Sequence, residues 1–572
     1  MAKKIITLSV FVFFFLALIS CGLNTEDTNT LDISTSKDSE ETSIDDITIS
    51  DKRNLSFIGT SDEYIVDNQK NFSLYYTSQG EVPYVDIESF FSLVEGAVEP
   101  NLLNFESDSS DSLVISYESR YLDVDGVTMI TDVHSASLDF TNHTMTVSNY
   151  DFFSGYMAQT ESDYGEGLNY VDADYVDGEE VVFNFNDYDI DILTLDEEED
   201  TLFLMPLHIA NIIFMSDIYY QVYYNGDALY GVDTFALSGF DEDIIDMIHN
   251  SSYNHKEMPA DVKLASYNAM AFIMDYFYGL KNEKDYQSFY EVLEPRKSQY
   301  LNGEDQDLYD QIFDLVYEMD DLHTSHVFHG YYDTRLQSQI SLYDTGEKTF
   351  NFYQDINQVR QGLINKFGSL DLPDYTLIDN DTIALIHLTG FDIDTPDDFG
   401  VILKRLPDTV EDVIIDLSFN TGGNLGAVLR IFGYMEEDLY TYHSQNPADG
   451  SAVSYFIDSS YNHYDYQYYV MTSGVTFSAA NLFASMAKEL NIPIIGQDSS
   501  GGASSIGAFI LPDGSAIMIS TNNVLSSRSG DIHNGFEYRS IESGIKVDYK
   551  IYDLMSETEI VFAVNKAKNS IE

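Results

Sequence analysis

Asp416-Leu-Ser-Phe-Asn-Thr-Gly-Gly-Asn424 and Thr472-Ser-Gly-Val-Thr-Phe-Ser-Ala-Ala480 decide how this chain folds. Each stretch follows a short apolar run and precedes a helical pattern, so each reads as the turn out of a buried strand into a helix. At such turns an α/β sheet presents backbone N–H groups and exposed side chains to a ligand. Thr382-Ile-Ala-Leu-Ile-His-Leu388, Val413-Ile-Ile-Asp-Leu417, Tyr468-Tyr-Val-Met-Thr472 and Ile492-Pro-Ile-Ile-Gly496 are the apolar runs, and they alternate with helical patterns at residues 395–406, 425–435 and 479–490. That rhythm predicts an α/β domain with a largely parallel sheet over residues 378–572.

Working upstream, Leu264, Tyr267, Met270, Ile273, Phe277 and Leu280 share one helical stripe, and Leu308, Ile312, Leu315, Val316 and Met319 share another. This helical lead-in, residues 251–377, carries Asp320-Asp-Leu-His-Thr-Ser-His-Val-Phe-His329. Residues 51–250 are short runs of Val, Ile, Tyr and Phe broken by Asp-Gly and Asn-Gly turns, with helical interruptions at 87–94 and 207–216. They predict a β-rich (α+β) accessory region. Asp172-Ala-Asp-Tyr-Val-Asp-Gly178 lacks the ligand spacing of a calcium loop and reads as a solvated turn.

The 97 acidic and 27 basic residues give a net charge of −70, which makes nucleic acid and an anionic membrane surface poor partners. Residues 1–20 read as a signal peptide: Lys3 and Lys4 precede an apolar run, Ile5 to Ile19, that is short for a membrane span. Leu18-Ile-Ser-Cys21-Gly22 is similar to a bacterial lipobox, which makes Cys21 the lipidated first residue of the mature chain. The other reading is an ordinary signal peptide that contains a cysteine. Residues 21–50 form an acidic Ser/Thr-rich linker that cannot offset its chain entropy by burial. Lipidation predicts a protein held at the bacterial cell membrane by its N-terminal lipid alone, facing the extracytoplasmic side. Cys21 is the sole cysteine, so no intramolecular disulfide, thiolate metal site or cysteine nucleophile exists elsewhere.

Ser478 ends a strand-to-helix turn, where a side chain is exposed and the helix N-terminus favours negative charge. Taken alone it reads as a helix cap, and Gly422-Gly423 taken alone reads as a tight turn. Together they offer a nucleophile and, from one N–H of Gly422 or Gly423 plus that of Ala479, an oxyanion hole. A serine nucleophile needs a base, and three of the 12 histidines fall at His323, His326 and His329. Their spacing matches no metal-ligand signature, so no metal is expected, although a metal-dependent hydrolase using the three is an alternative.

Asp321-Leu-His-Thr324, the 416–424 stretch, Thr476-Phe-Ser-Ala-Ala-Asn481 and Gly496-Gln-Asp-Ser-Ser-Gly-Gly-Ala503 stand in the order and rough spacing of the tail-specific (C-terminal-processing) serine peptidases. Residues 260–560 resemble that family. The resemblance implies a crotonase/ClpP-like sheet and no cofactor. Processing relatives carry a PDZ domain after the histidine motif, but only about fifty residues separate His329 from Thr382, so none is expected. In the processing branch a lysine about two dozen residues beyond the serine is the base, yet Ser500-Gly-Gly-Ala-Ser-Ser505 has none, and Lys488 lies inside the helix. The chain instead resembles the branch of the tricorn core protease and the interphotoreceptor retinoid-binding repeats, which implies a Ser-His-Glu site. His323 is then the base, with His326 as the alternative, and Glu542 in Ile541-Glu-Ser-Gly-Ile-Lys-Val-Asp548 is the third member. Val547 stands where the family usually has proline. The implied function is a surface-tethered serine endopeptidase that hydrolyses extracytoplasmic polypeptides through an acyl-enzyme. The alternative is a non-catalytic peptide- or ligand-binding lipoprotein on the same fold.

Overall fold

The computed structural model describes residues 47–571 apart from 69, 79, 123–128, 198–199, 235–241, 255, 329, 333–344 and 532–534. Cys21, the signal peptide, most of the acidic linker and His329 lie outside the described residues.

The C-terminal part is built on a six-stranded sheet of β1 (Tyr375–Ile378), β2 (Ile383–His387), β3 (Asp412–Asp416), β4 (Gln467–Thr472), β5 (Ile494–Gly496) and β6 (Tyr549–Lys550), in that spatial order. β1 and β2 form an antiparallel hairpin, and every later neighbour is parallel, with Ile386 beside Ile415 and Ile415 beside Val470. Parallel strands need helical crossovers and are covered on both faces, which is why β2 to β4 are near-continuous apolar runs. Ala384, Ile386, Val413, Ile415 and Val470 face a core closed by α3 (Thr395–Arg405), α4 (Leu425–Met435) and α5 (Ala479–Glu489). Ile383, Leu385, Ile414, Tyr469 and Met471 face the opposite core, closed by α2 (Glu347–Phe367) and α6 (Glu557–Ile571). The two-residue period of the strands thus divides one apolar run between two helical layers.

The lead-in helices are Ala260–Tyr276 and α1 (Asp305–Glu318), followed by the short strand Ser325–Phe328. That strand joins an antiparallel sheet through Ala516–Asp531, which continues to Tyr440–Gln445, Ala452–Ser459 and the edge strand Leu168–Val176. The expected β-rich N-terminal region holds a seven-stranded and a five-stranded sheet, with helices at Ile87–Leu93 and Leu207–Phe214. Among the described residues no helix is long and apolar enough to cross a membrane.

Candidate active site

The two turns that open the sequence reading lie side by side. Phe477 N–H donates to the Asn420 carbonyl at 3.3 Å, Ser473 Oγ to the Ser418 carbonyl at 2.6 Å, and Thr476 Oγ1 to the Leu417 carbonyl at 2.7 Å. Both follow the carboxyl ends of neighbouring parallel strands, β3 and β4, so the sheet itself sets their spacing.

Ser478 stands at φ 56° and ψ −125°, a conformation L-residues rarely adopt, immediately before α5. Its hydroxyl makes no helix-capping bond and meets His323 Nε2 at 3.0 Å. Such backbone strain costs on the order of 1–3 kcal/mol and persists only where the surroundings fix it. Here the Ser478 N–H donates to the Gly501 carbonyl at 2.8 Å.

Gly422 has φ +108°, and a Cβ there would stand 2.7 Å from the Ser478 Cβ and 3.0 Å from the Ala479 nitrogen. Gly423 has φ +135°, and a Cβ there would meet the Phe391 carbonyl oxygen at 2.4 Å. The two glycines differ in what their N–H groups do. Gly422 N–H donates to Asn420 Oδ1 at 2.8 Å, and the amide of that fully buried asparagine is held in turn by the Leu388 carbonyl at 3.0 Å. Among the described residues, the N–H groups of Gly423 and Ala479 have no protein acceptor, and Gly423 is exposed.

His323 is buried, with its N–H on Asp321 Oδ1 at 3.1 Å and its ring against Phe477 at 4.6 Å between centroids. Thr324 Oγ1 donates to the other Asp321 oxygen at 2.5 Å, so Asp321 shapes the loop from within it. Burial pushes the imidazole pKa below its ordinary value; the Asp321 and Glu542 carboxylates oppose this, and the Lys348 ammonium adds to it. His323 Nδ1 is buried and without a hydrogen-bond partner among the described residues. His326 is also buried, on Ser325–Phe328 with its ring edge-on to Phe313; the histidine on Ser478 Oγ is His323. Among the described residues no group of three His, Cys, Asp or Glu side chains could hold a metal ion.

Glu542 is buried beside this constellation, close enough for its charge to act on His323. One carboxylate oxygen accepts from the Ala503 N–H at 2.6 Å and the other pairs with the Lys348 ammonium; neither bonds His323. The stretch without a lysine, Ser500 to Ala503, therefore bridges the site: Gly501 accepts from Ser478 and Ala503 donates to Glu542. Lys488 is occupied elsewhere, on the Lys546 carbonyl at 2.6 Å. Three contributors were invisible to spacing arguments. Lys348 is one; Asp320, which caps the α2 N-terminus through the Lys348 and Thr349 N–H groups at 2.9 and 2.8 Å, is another. Asn481, one turn into α5, holds the Ile541 carbonyl at 3.0 Å, next to Glu542. A cleft of about 480 Å³ opens along this flank, lined in part by Lys348, Phe352, Asp355, Ser500 and Glu542.

Residues 382–551 match the model of peptidase family S41, a span that includes both turns and Glu542. No curated protein matches the chain. Among solved structures, the chain is similar to a presumed peptidase from Parabacteroides merdae at 18% identity, covering 53% of this chain and 96% of that one with a TM-score of 0.40. A lipoprotein from Streptococcus agalactiae matches at 15% identity over 53% of this chain and 96% of its own, TM-score 0.34. The tricorn protease matches at 12% identity over 82% of this chain and 59% of its own, TM-score 0.34.

Proposed function

We infer, from a segment that matches peptidase family S41, that this chain is a serine peptidase with Ser478 as nucleophile and His323 as general base. One observation carries the reading: a serine hydroxyl held at a strained turn, 3.0 Å from a buried imidazole nitrogen. Oγ attacks the scissile carbonyl carbon as its proton passes to Nε2. The carbonyl oxygen gains the negative charge, and the Gly423 and Ala479 N–H groups, beside the positive end of α5, are the donors free to receive it. The C–N bond then breaks, the imidazolium returns its proton to the leaving amine, and water repeats the sequence on the acyl-enzyme. Glu542 supplies negative charge near the imidazolium and Asp321 braces its loop.

We assign polypeptides as substrates and an extracytoplasmic, lipid-tethered setting, the latter from Leu18-Ile-Ser-Cys21 alone. The test is a fluorophosphonate probe together with hydrolysis of an unfolded polypeptide. Wild type labels and cleaves, Ser478→Ala does neither, and His323→Ala lowers both rates by about 10²- to 10⁴-fold. Chelators leave all of this unchanged. A wild-type protein that is folded, unlabelled and inert on unfolded polypeptide contradicts the assignment.

A further inference from the structure

The cation beside Glu542 has no part in the chemistry above. We propose that Lys348 is a positioning residue that holds the Glu542 carboxylate off His323, so that the base works without an acceptor on its inner nitrogen while the lysine is in place. This rests on the peptidase reading of the site.

Three observations carry it. His323 Nδ1 is buried and without a partner among the described residues, although its other nitrogen is engaged with Ser478. Glu542, a buried carboxylate near enough for its charge to act on His323, spends both oxygens elsewhere, on Lys348 and on the Ala503 N–H. Lys348 is not a wandering surface chain: its backbone N–H is bonded to Asp320, three residues before His323 in the same loop. The helix start that carries the lysine is therefore fixed to the loop that carries the base. The lysine side chain is about one third exposed at the wall of the cleft, so it can swing into solvent, whereas Glu542 cannot.

The charged groups facing His323 are Asp321 from its own loop, Glu542 from the late loop and Lys348 from α2. Glu283 and Lys284 lie one layer out, and the Tyr278 hydroxyl faces Asp321 and Glu542. Lys348 acts in two ways that add: its charge opposes protonation of the ring, and its ion pair removes the carboxylate that would accept from Nδ1–H. Withdrawing it reverses both, so the ring takes a proton more readily and the imidazolium formed during attack gains a charged acceptor.

The full chain with Lys348→Met keeps the side-chain length and removes the charge. Its kcat/KM profile has an acidic limb displaced to higher pH, and its plateau is about tenfold above wild type. The ring nitrogens of His323, followed by NMR in protein labelled at histidine and identified by their loss in His323→Gln, titrate at higher pH in the same variant. Lys348→Arg keeps the wild-type limb, and adding Glu542→Gln to Lys348→Met cancels the displacement. If Lys348→Met misfolds by circular dichroism, Lys348→Gln makes the same comparison. An unmoved limb and unmoved His323 titration overturn the proposal, as does a plateau that falls with Met and is restored by Arg, which would make the lysine a support for Glu542. The NMR titration reads Lys348 even in a protein that cleaves nothing, so failure of the peptidase assignment is separable from failure of this one.

Discussion

At the scale of single residues, Gly422 has little freedom to change. A methyl group there is disfavoured twice, by a φ of +108° and by an approach of 2.7 Å to the Ser478 Cβ. Gly422→Ala is expected to lower kcat by about 10²-fold or more, because displacing a nucleophile by a fraction of an ångström spoils its line of attack. Steady-state kinetics on variant protein that melts cooperatively checks this; retained turnover would mean that the glycine serves only the turn. Ser478, His323 and the glycine pair were legible from their motifs because each lies in a short, unusual local pattern. Lys348 was not. A lysine in the first turn of a helix is commonplace, and its partner Glu542 lies 194 residues away, a contact no local pattern encodes. Gly422 and Gly423 were equal in sequence and differ in the structure, because Asn420 takes one N–H and leaves the other.

Among the elements, α5 serves as the scaffold of the site from its cap and first turn. Ser478 precedes it, and Asn481 reaches across to the Ile541 carbonyl at 3.0 Å while accepting from Ser499 Oγ at 2.6 Å. Asn481→Ala strips two buried groups of their partners and is expected to cost about 2–3 kcal/mol of stability, read by urea unfolding. It also frees the Glu542 loop, so turnover falls with it; unchanged stability would show that the clamp is redundant. β2 to β5 and α3 to α5 could be read from the chain because parallel strands bury both faces and their crossover helices carry dense apolar stripes. α2 could not. It starts after Gly346 with no cap of its own, borrowing Asp320 from the histidine loop, and buries only Thr349, Phe352, Val359 and Leu363 along 21 residues. The antiparallel strands Ser504–Ile510 and Ala516–Asp531 were equally hidden, since their runs are rich in Ser, Gly and Asn.

Over the whole molecule, the N-terminal region and the C-terminal part are joined by specific bonds as well as by packing. Gln221 holds the Ala508 carbonyl at 2.5 Å and the Ile510 N–H at 3.2 Å, and Tyr219 donates to the Ile506 carbonyl at 3.0 Å; from the lead-in helix, Ser266 donates to the buried Asp513 at 2.7 Å. The edge strand Leu168–Val176 pairs with Ala452–Ser459 along its length, nearly three hundred residues later in the chain. Nothing in the composition of Leu-Asn-Tyr-Val-Asp-Ala-Asp-Tyr-Val tells which sheet it joins, because an edge strand shows one polar face wherever it docks. This pairing ties the chain before Val176 to the chain after Ala452 by a ladder that does not depend on the peptide bonds between them. A single peptide-bond cut in that interval leaves two fragments that hold opposite rungs of one ladder, so limited proteolysis should give one peak on gel filtration and two bands on a denaturing gel. Fragments that elute separately would show that the ladder does not carry the joint. A chain so joined keeps its shape after one internal cut, and clipped molecules are then told from whole ones only under denaturing conditions.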